Sequence, residues 1–170
     1  GINGYGLSKS AIVPLLKSLE YMHTASLIFD DLPSQDNAST RRGRKTVHRV
    51  YDTSIAEITG LFLTQKAIEE LTSLDQFEEK TVLRLVRYSA QVVMDMCRGQ
   101  AMDLESKFKL LTLQQLETIC YYKTGIAFEA SLIMPAILAQ AKEEEMLALK
   151  NFARHTGLAF QIKDDLLDVE

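Results

Sequence analysis

Apolar residues recur at helical intervals along most of the chain, and no alternating strand pattern of useful length interrupts them, so the pattern predicts an all-α fold. Ser8 or Ser10 can cap a first helix whose inward face carries Leu15, Leu16, Leu19, Met22, Ser26 and Leu27 and whose end delivers Asp30 and Asp31. Pro33 stops it: the proline nitrogen has no hydrogen to donate, and the residue before a proline avoids the helical region. Loop chemistry runs from Ser34 to about Arg49. Asp52 or Thr53 then caps a second helix, with Ile55, Ile58, Leu61, Phe62 and Ile68 inward, ending near Ser73. A third spans Gln76 to Arg98, with Val82, Leu85, Val86, Val93 and Cys97 on its buried side. Thr112 and Gln115 form a capping-box signature for a fourth, which reads on to Lys123-Thr124-Gly125, and the pattern resumes after Gly125 as far as Gln140. Glu143 to Glu145 suit the start of the last helix, where negative charge meets the positive end of the dipole. That helix carries Leu147, Phe152, Leu158, Phe160 and Ile162 and ends in Asp164, Asp165 and Asp168.

A chain of 170 residues with no internal linker or repeat reads as one domain, 1–170, able to bury roughly two-thirds of its unfolded surface. The net charge of −4 is spread through the sequence, and the one dense basic run, Arg41 to Lys45, is too short to form a nucleic-acid groove. The longest uncharged run, Ala130 to Ala141, contains Pro135 and falls short of the roughly 20 residues of a membrane span. Cys97 and Cys120 have neither metal-ligand spacing nor the number of a disulfide framework, which points to a reducing, cytoplasmic setting with two buried thiols. The chain has no initiating Met and no signal-peptide pattern, and it stops just past an aspartate cluster, which reads as part of a longer polypeptide.

Two aspartate clusters at the ends of helical patterns ask for a cation, because neighbouring carboxylates in a sheltered cleft repel one another. Magnesium suits them: it keeps several waters and is usually held by one or two carboxylates together with substrate phosphates. Asp30 and Asp36 are six apart, too far for one helix face but workable across a turn. Asp164 and Asp168 share a face, while Asp165 points away by about 100° per residue. Arg41, Arg42, Arg44 and Lys45 offer donors for phosphate oxygens. Gly125 inside a helical pattern costs about 1 kcal/mol relative to alanine, which either tight packing or a local break at Lys123 and Thr124 would explain; at Gly157 packing is the better reading. Gln161 could add a side-chain carbonyl to the same place.

Taken together, Asp30-Asp31 with Asp36 and Arg41-Arg42-Gly43, Gly99-Gln100 with Asp103, Lys123-Thr124-Gly125, and Phe160-Gln161 with Asp164-Asp165 and Asp168 resemble the trans-isoprenyl diphosphate synthases of the polyprenyl synthetase family. The resemblance implies an isoprenoid synthase-type helical bundle around a central cavity, with magnesium ions bridging two facing aspartate motifs and an allylic diphosphate. It also implies head-to-tail condensation of that diphosphate with isopentenyl diphosphate. Carried over, Asp30, Asp36 and Asp164 would be metal ligands supported by Asp31, Asp165 and Asp168. Arg41 and Lys123 would hold the allylic diphosphate, Arg42 the isopentenyl diphosphate, and Thr124 and Gln161 would stabilise the allylic cation; Gln100 and Asp103 would join the substrate site. Ala25 and Ser26, one turn deeper than Asp30, are small, which implies a product longer than farnesyl, geranylgeranyl diphosphate. A homodimer is implied, with Val82 to Arg98 and Thr112 to Tyr122 as interface candidates. The chain departs from the family at Gly60-Leu61, where Gly-Asp is usual, and at Lys45, where proline is common; the family's upstream Gly-Lys-Arg element and its lysine segment past the second aspartate motif do not occur in these residues. The competing readings are a class I terpene cyclase and a non-catalytic partner subunit.

Overall fold

The computed structural model describes residues 2–167, with the backbone alone for residues 2, 3, 164, 165 and 167. It is all-α, as the spacing predicts. Its helices are α1 (Ile2–Tyr5), α2 (Lys9–Asp30), α3 (Val47–Val50), α4 (Thr53–Thr72), α5 (Glu79–Ser106), α6 (Leu113–Cys120), α7 (Ile126–Leu138) and α8 (Glu143–Leu167). Between α6 and α7 the chain stays helical but widens into a π-helical turn, Tyr121–Gly125. A two-stranded antiparallel hairpin, β1 (Thr40–Arg41) with β2 (Arg44–Lys45), stands between α2 and α3. The contacts gather in two compact units, Ser10–Gln76 and Gly1–Lys9 with Phe77–Glu170, although the sequence carries no linker at that boundary.

In the first unit Asp52 caps α4 by accepting from the Ile55 amide at 2.7 Å. The side of α4 that packs is not the one its large residues suggest. Ala56, Gly60, Ala67, Glu70 and Leu71 are buried, whereas Ile55, Ile58, Leu61 and Phe62 are 44 to 64% exposed. The helix is apolar on both sides, so hydrophobicity alone could not choose; close approach did. A Cβ on Gly60 would lie 2.6 Å from the Phe29 ring of α2, and Ala56 joins Ile28 and Leu32 in one cluster. In α2 the buried stripe is Ile12, Leu15, Ser18, Ala25 and Ile28, so of the expected face only Leu15 is fully enclosed, and Leu16 is exposed.

The second unit repeats the theme. α5 does not end at Arg98 but runs through Gly99 to Ser106, burying Thr81, Leu85, Ser89, Val92 and Gly99, with Cys97 exposed. Gly99 is there for proximity: a Cβ on it would lie 2.4 Å from the carbonyl carbon of Tyr122 and 2.5 Å from the Lys123 nitrogen. Among the described side chains of α8 the buried residues are Ala153 and Gly157, while Leu147, Phe152, Phe160 and Ile162 are exposed, again reversing the expected face. A Cβ on Gly157 would lie 2.5 Å from the Gly125 Cα. The π-turn is therefore approached by α5 through Gly99 and by α8 through Gly157, which decides the question left at Gly125: the chain both breaks locally and packs tightly there. The Thr112–Gln115 capping box forms in full.

Candidate active site

In the first unit α2 ends at Asp30 and the chain folds back over its own terminus. The amides of Gln35 and Asn37 donate to the Leu32 carbonyl, and the Asp36 amide donates to the Asp30 carbonyl at 3.0 Å, so two residues six apart become backbone neighbours. Asn37 takes a φ of 50°, which asparagine tolerates better than most residues. Asp31 turns inward, 5% exposed, and gives both oxygens to Arg41: Nε donates to Oδ1 at 2.8 Å and to Oδ2 at 3.0 Å, and Nη2 lies 2.7 Å from Oδ1. The hydrogen bond with Asp31 raises the Arg41 pKa further, and the charges of Asp31, Asp30 and Asp36 add to the effect. Arg41 keeps about a third of its side chain exposed, 36%, while anchored from behind.

The hairpin that carries Arg41 was not visible in the sequence. Its two central residues, Arg42 and Gly43, have φ of 52° and 76°, the geometry of a type I′ turn, which usually recruits Asn-Gly or Asp-Gly. Arg42, Arg44 and Lys45 are exposed around it. Thr46 closes the loop, its hydroxyl donating to the Ala38 carbonyl at 2.8 Å and its amide to Ser39 at 3.2 Å.

In the second unit the π-turn presents the other expected residues. Lys123 Nζ lies 2.6 Å from Asp103 Oδ2 on α5, with both side chains about 30% exposed (28% and 31%). Thr124 donates its hydroxyl to Gln161 Oε1 on α8 at 2.7 Å. Gln100 is half-buried beside Gly99. Asp164 and Asp165 continue α8 within a turn of Gln161, and Asp168 lies outside the described residues.

Beneath the turn is a cluster that the sequence reading passed over. Glu129, 5% exposed on α7, accepts from Tyr121 at 2.7 Å on one oxygen and from Tyr88 of α5 at 3.1 Å on the other, with Lys150 of α8 at 3.9 Å. A signal existed: Glu129 is the sole charge in the helix Ile126–Leu138. Burial, then the Glu129 carboxylate, raises the pKa of both phenols. A phenol whose pKa rises on folding keeps its proton after the unfolded chain has lost it, so its stabilising contribution is complete below about pH 10 and is lost as pH climbs above that value. The urea midpoint is therefore expected to fall more steeply between about pH 9 and pH 11 in the wild type than in Tyr88→Phe/Tyr121→Phe. Equal slopes would contradict this account.

Residues 6–170 match the family model described as Polyprenyl synthetase. The polypeptide belongs to the polyprenyl synthetase family. A farnesyl diphosphate synthase from Bacillus subtilis (strain 168) is 38% identical over 173 residues, covering 99% of this chain and 58% of that protein. A geranylgeranyl diphosphate synthase from Cyanophora paradoxa is 39% identical over 163 residues, 92% of this chain and 54% of that one. Among solved structures, a geranyltransferase from Helicobacter pylori, complexed with magnesium and isoprenyl diphosphate, superposes with a TM-score of 0.89 at 34% identity, covering 99% of this chain and 56% of that one. The chain thus spans a little over half the length of these relatives. Among the described residues, no three His, Cys, Asp or Glu side chains gather around one metal position, and no helix is long and apolar enough to cross a membrane. Asp30 and Asp36, brought together by the backbone while Asp31 is committed to Arg41, fit an ion that takes one or two carboxylates and leaves its other positions to water and phosphate.

Proposed function

We propose that this chain carries the catalytic core of a magnesium-dependent prenyltransferase that joins isopentenyl diphosphate head-to-tail to an allylic diphosphate, with geranylgeranyl diphosphate as product. The observation that carries the reading is that both cations expected to hold the allylic diphosphate are backed by an aspartate from another segment, Arg41 by Asp31 and Lys123 by Asp103. A cation held in place by a carboxylate is preorganised for an anionic ligand and loses little entropy on binding. Asp30 and Asp36 would hold magnesium, as would Asp164 with Asp165 and Asp168 in support. Bound magnesium neutralises the diphosphate and so weakens its bond to the allylic carbon.

The diphosphate leaves with the electron pair of the carbon–oxygen bond, and Arg41 and Lys123 bind the charge that develops on it. Thr124 donates its proton to Gln161, so the lone pairs of its oxygen are available to the electron-poor allylic carbon. The double bond of isopentenyl diphosphate, held by Arg42, then attacks that carbon, and a proton is lost from the adduct. The test is incubation with isopentenyl and farnesyl diphosphates, with and without magnesium, and identification of products by mass. Magnesium-dependent elongation that disappears in Asp30→Ala is the expected result. Failure of a folded chain either to elongate or to bind pyrophosphate with magnesium would reject the reading.

Two features bear on product and assembly. Ala25 is 1% exposed, and the Ser26 hydroxyl is tied to the His23 carbonyl at 2.9 Å, so this level of α2 is lined by small groups. Ala25→Phe is expected to shorten the longest product by at least one isoprene unit; an unchanged product would dissociate chain length from this position. The exposed stripe Ile55, Ile58, Leu61 and Phe62 of α4 is a better candidate for the homodimer interface than the sides of α5 and α6, because large apolar side chains lie open along one helix face. Phe62→Asp should then halve the mass measured by light scattering, and an unaltered mass would place the interface elsewhere.

A further inference from the structure

We propose that Glu129 is a positioning residue for diphosphate binding, a strut that locks the register in which the π-turn presents Lys123 and Thr124. The role rests on the reading of Lys123 as a diphosphate ligand. The reasoning starts from what a π-turn does. An extra residue in a helical turn rotates everything on one side of it by about 100° relative to the other. The directions of Lys123 and Thr124 relative to α7 therefore depend on the widening remaining at Tyr121–Gly125. A purely local hydrogen-bond pattern is free to slide or to relax into an ordinary helix; a side-chain bond spanning it is not.

Glu129 makes that spanning bond. It sits in the first turn of α7, past the end of the π-turn, and accepts from the hydroxyl of Tyr121, the residue that begins it. Its second oxygen accepts from Tyr88 on α5, the helix that supplies Asp103 to Lys123. Lys150 approaches from α8, the helix that supplies Gln161 to Thr124, and Arg154 of the same helix lies over the Tyr121 ring at 5.9 Å from its centroid. One buried carboxylate is thus tied to the start of the turn and to both helices that meet its two ligand-facing side chains. Gly99 and Gly157 set how near those helices come, and Glu129 sets the register.

The test separates positioning from stability. In Tyr88→Phe/Tyr121→Phe/Glu129→Leu the three buried members of the cluster are apolar and Lys150, 45% exposed, keeps its charge in water, and removing the members of a buried polar group together is often neutral for folding. This variant and Glu129→Gln are compared with the wild type by calorimetric binding of inorganic pyrophosphate in magnesium, by amide exchange at residues 122–126, and by urea unfolding. Lys123→Ala is the control that removes the ligand itself. The expected result is pyrophosphate binding weakened about tenfold or more in both variants, with faster exchange at 122–126, while the unfolding midpoint of the triple variant stays near that of the wild type. Unchanged affinity and exchange in the triple variant, with binding lost in Lys123→Ala, would overturn the proposal. If the wild type binds no pyrophosphate, the diphosphate reading falls; exchange then decides the strut alone, which unchanged protection at 122–126 would overturn.

Discussion

Gly99→Ala is expected to destabilise the protein by about 2–4 kcal/mol, the largest loss of any single added methyl group. The new carbon would sit 2.4 Å from the Tyr122 carbonyl carbon, 2.5 Å from the Lys123 nitrogen and 2.8 Å from the Tyr122 oxygen, where about 3.5 Å is the closest comfortable approach. All three neighbours are backbone atoms of the π-turn, so no rotamer change relieves the clash and α5 and the turn must separate. The gain in helix propensity, about 1 kcal/mol, offsets only part of this. Gly60→Ala is the natural control, since its clash is with the Phe29 ring at 2.6 Å, a side chain that can swing aside. Urea denaturation of the two variants checks the comparison. A Gly99→Ala protein as stable as Gly60→Ala would mean that the turn yields easily and is not set by packing.

Lys123→Ala is expected to lower kcat/KM for the allylic diphosphate by about a thousandfold, roughly 4 kcal/mol of transition-state stabilisation. On the proposed reading the lysine is the cation that the π-turn offers to the leaving diphosphate, where its charge, held beside Asp103 of α5, would meet the developing anion. Asp103→Ala should cost less, because the cation survives but must be ordered when substrate arrives, so the loss is expected chiefly in KM. Neither change should affect folding much, since a pair with both members about a third exposed contributes about 1 kcal/mol or less. Steady-state kinetics at saturating magnesium measures both. A Lys123→Ala enzyme within a few-fold of wild type would remove this residue from the diphosphate site.

Much of the local structure was legible. Asp52 and Thr112 cap their helices as their spacing demands, because a cap depends only on residues within one turn. The disturbance at Gly125 was legible for the same reason: a glycine in a helical run is locally costly. The hairpin was not, because strands of two residues leave no alternation to detect, and Arg42-Gly43 is not the usual pair for its turn. Glu129 escaped because the phenols it serves lie 8 and 41 residues away.

The sequence by itself determined that this protein is helical and where most helices begin, since these follow from short-range periodicity, and its motif chemistry is what nominates the aspartates, cations and polar side chains of the proposed site. It did not determine which side of each helix is buried. α4 and α8 are apolar on both sides, and hydrophobicity is non-directional, so the large residues could not decide between them. Only the tertiary structure did, by bringing a ring onto Gly60 and backbones together at Gly99 and at Gly125 with Gly157, where the absence of a side chain permits the close approach. The same close packing made a register-sensitive turn of Tyr121–Gly125 and gave a buried glutamate three elements to hold together.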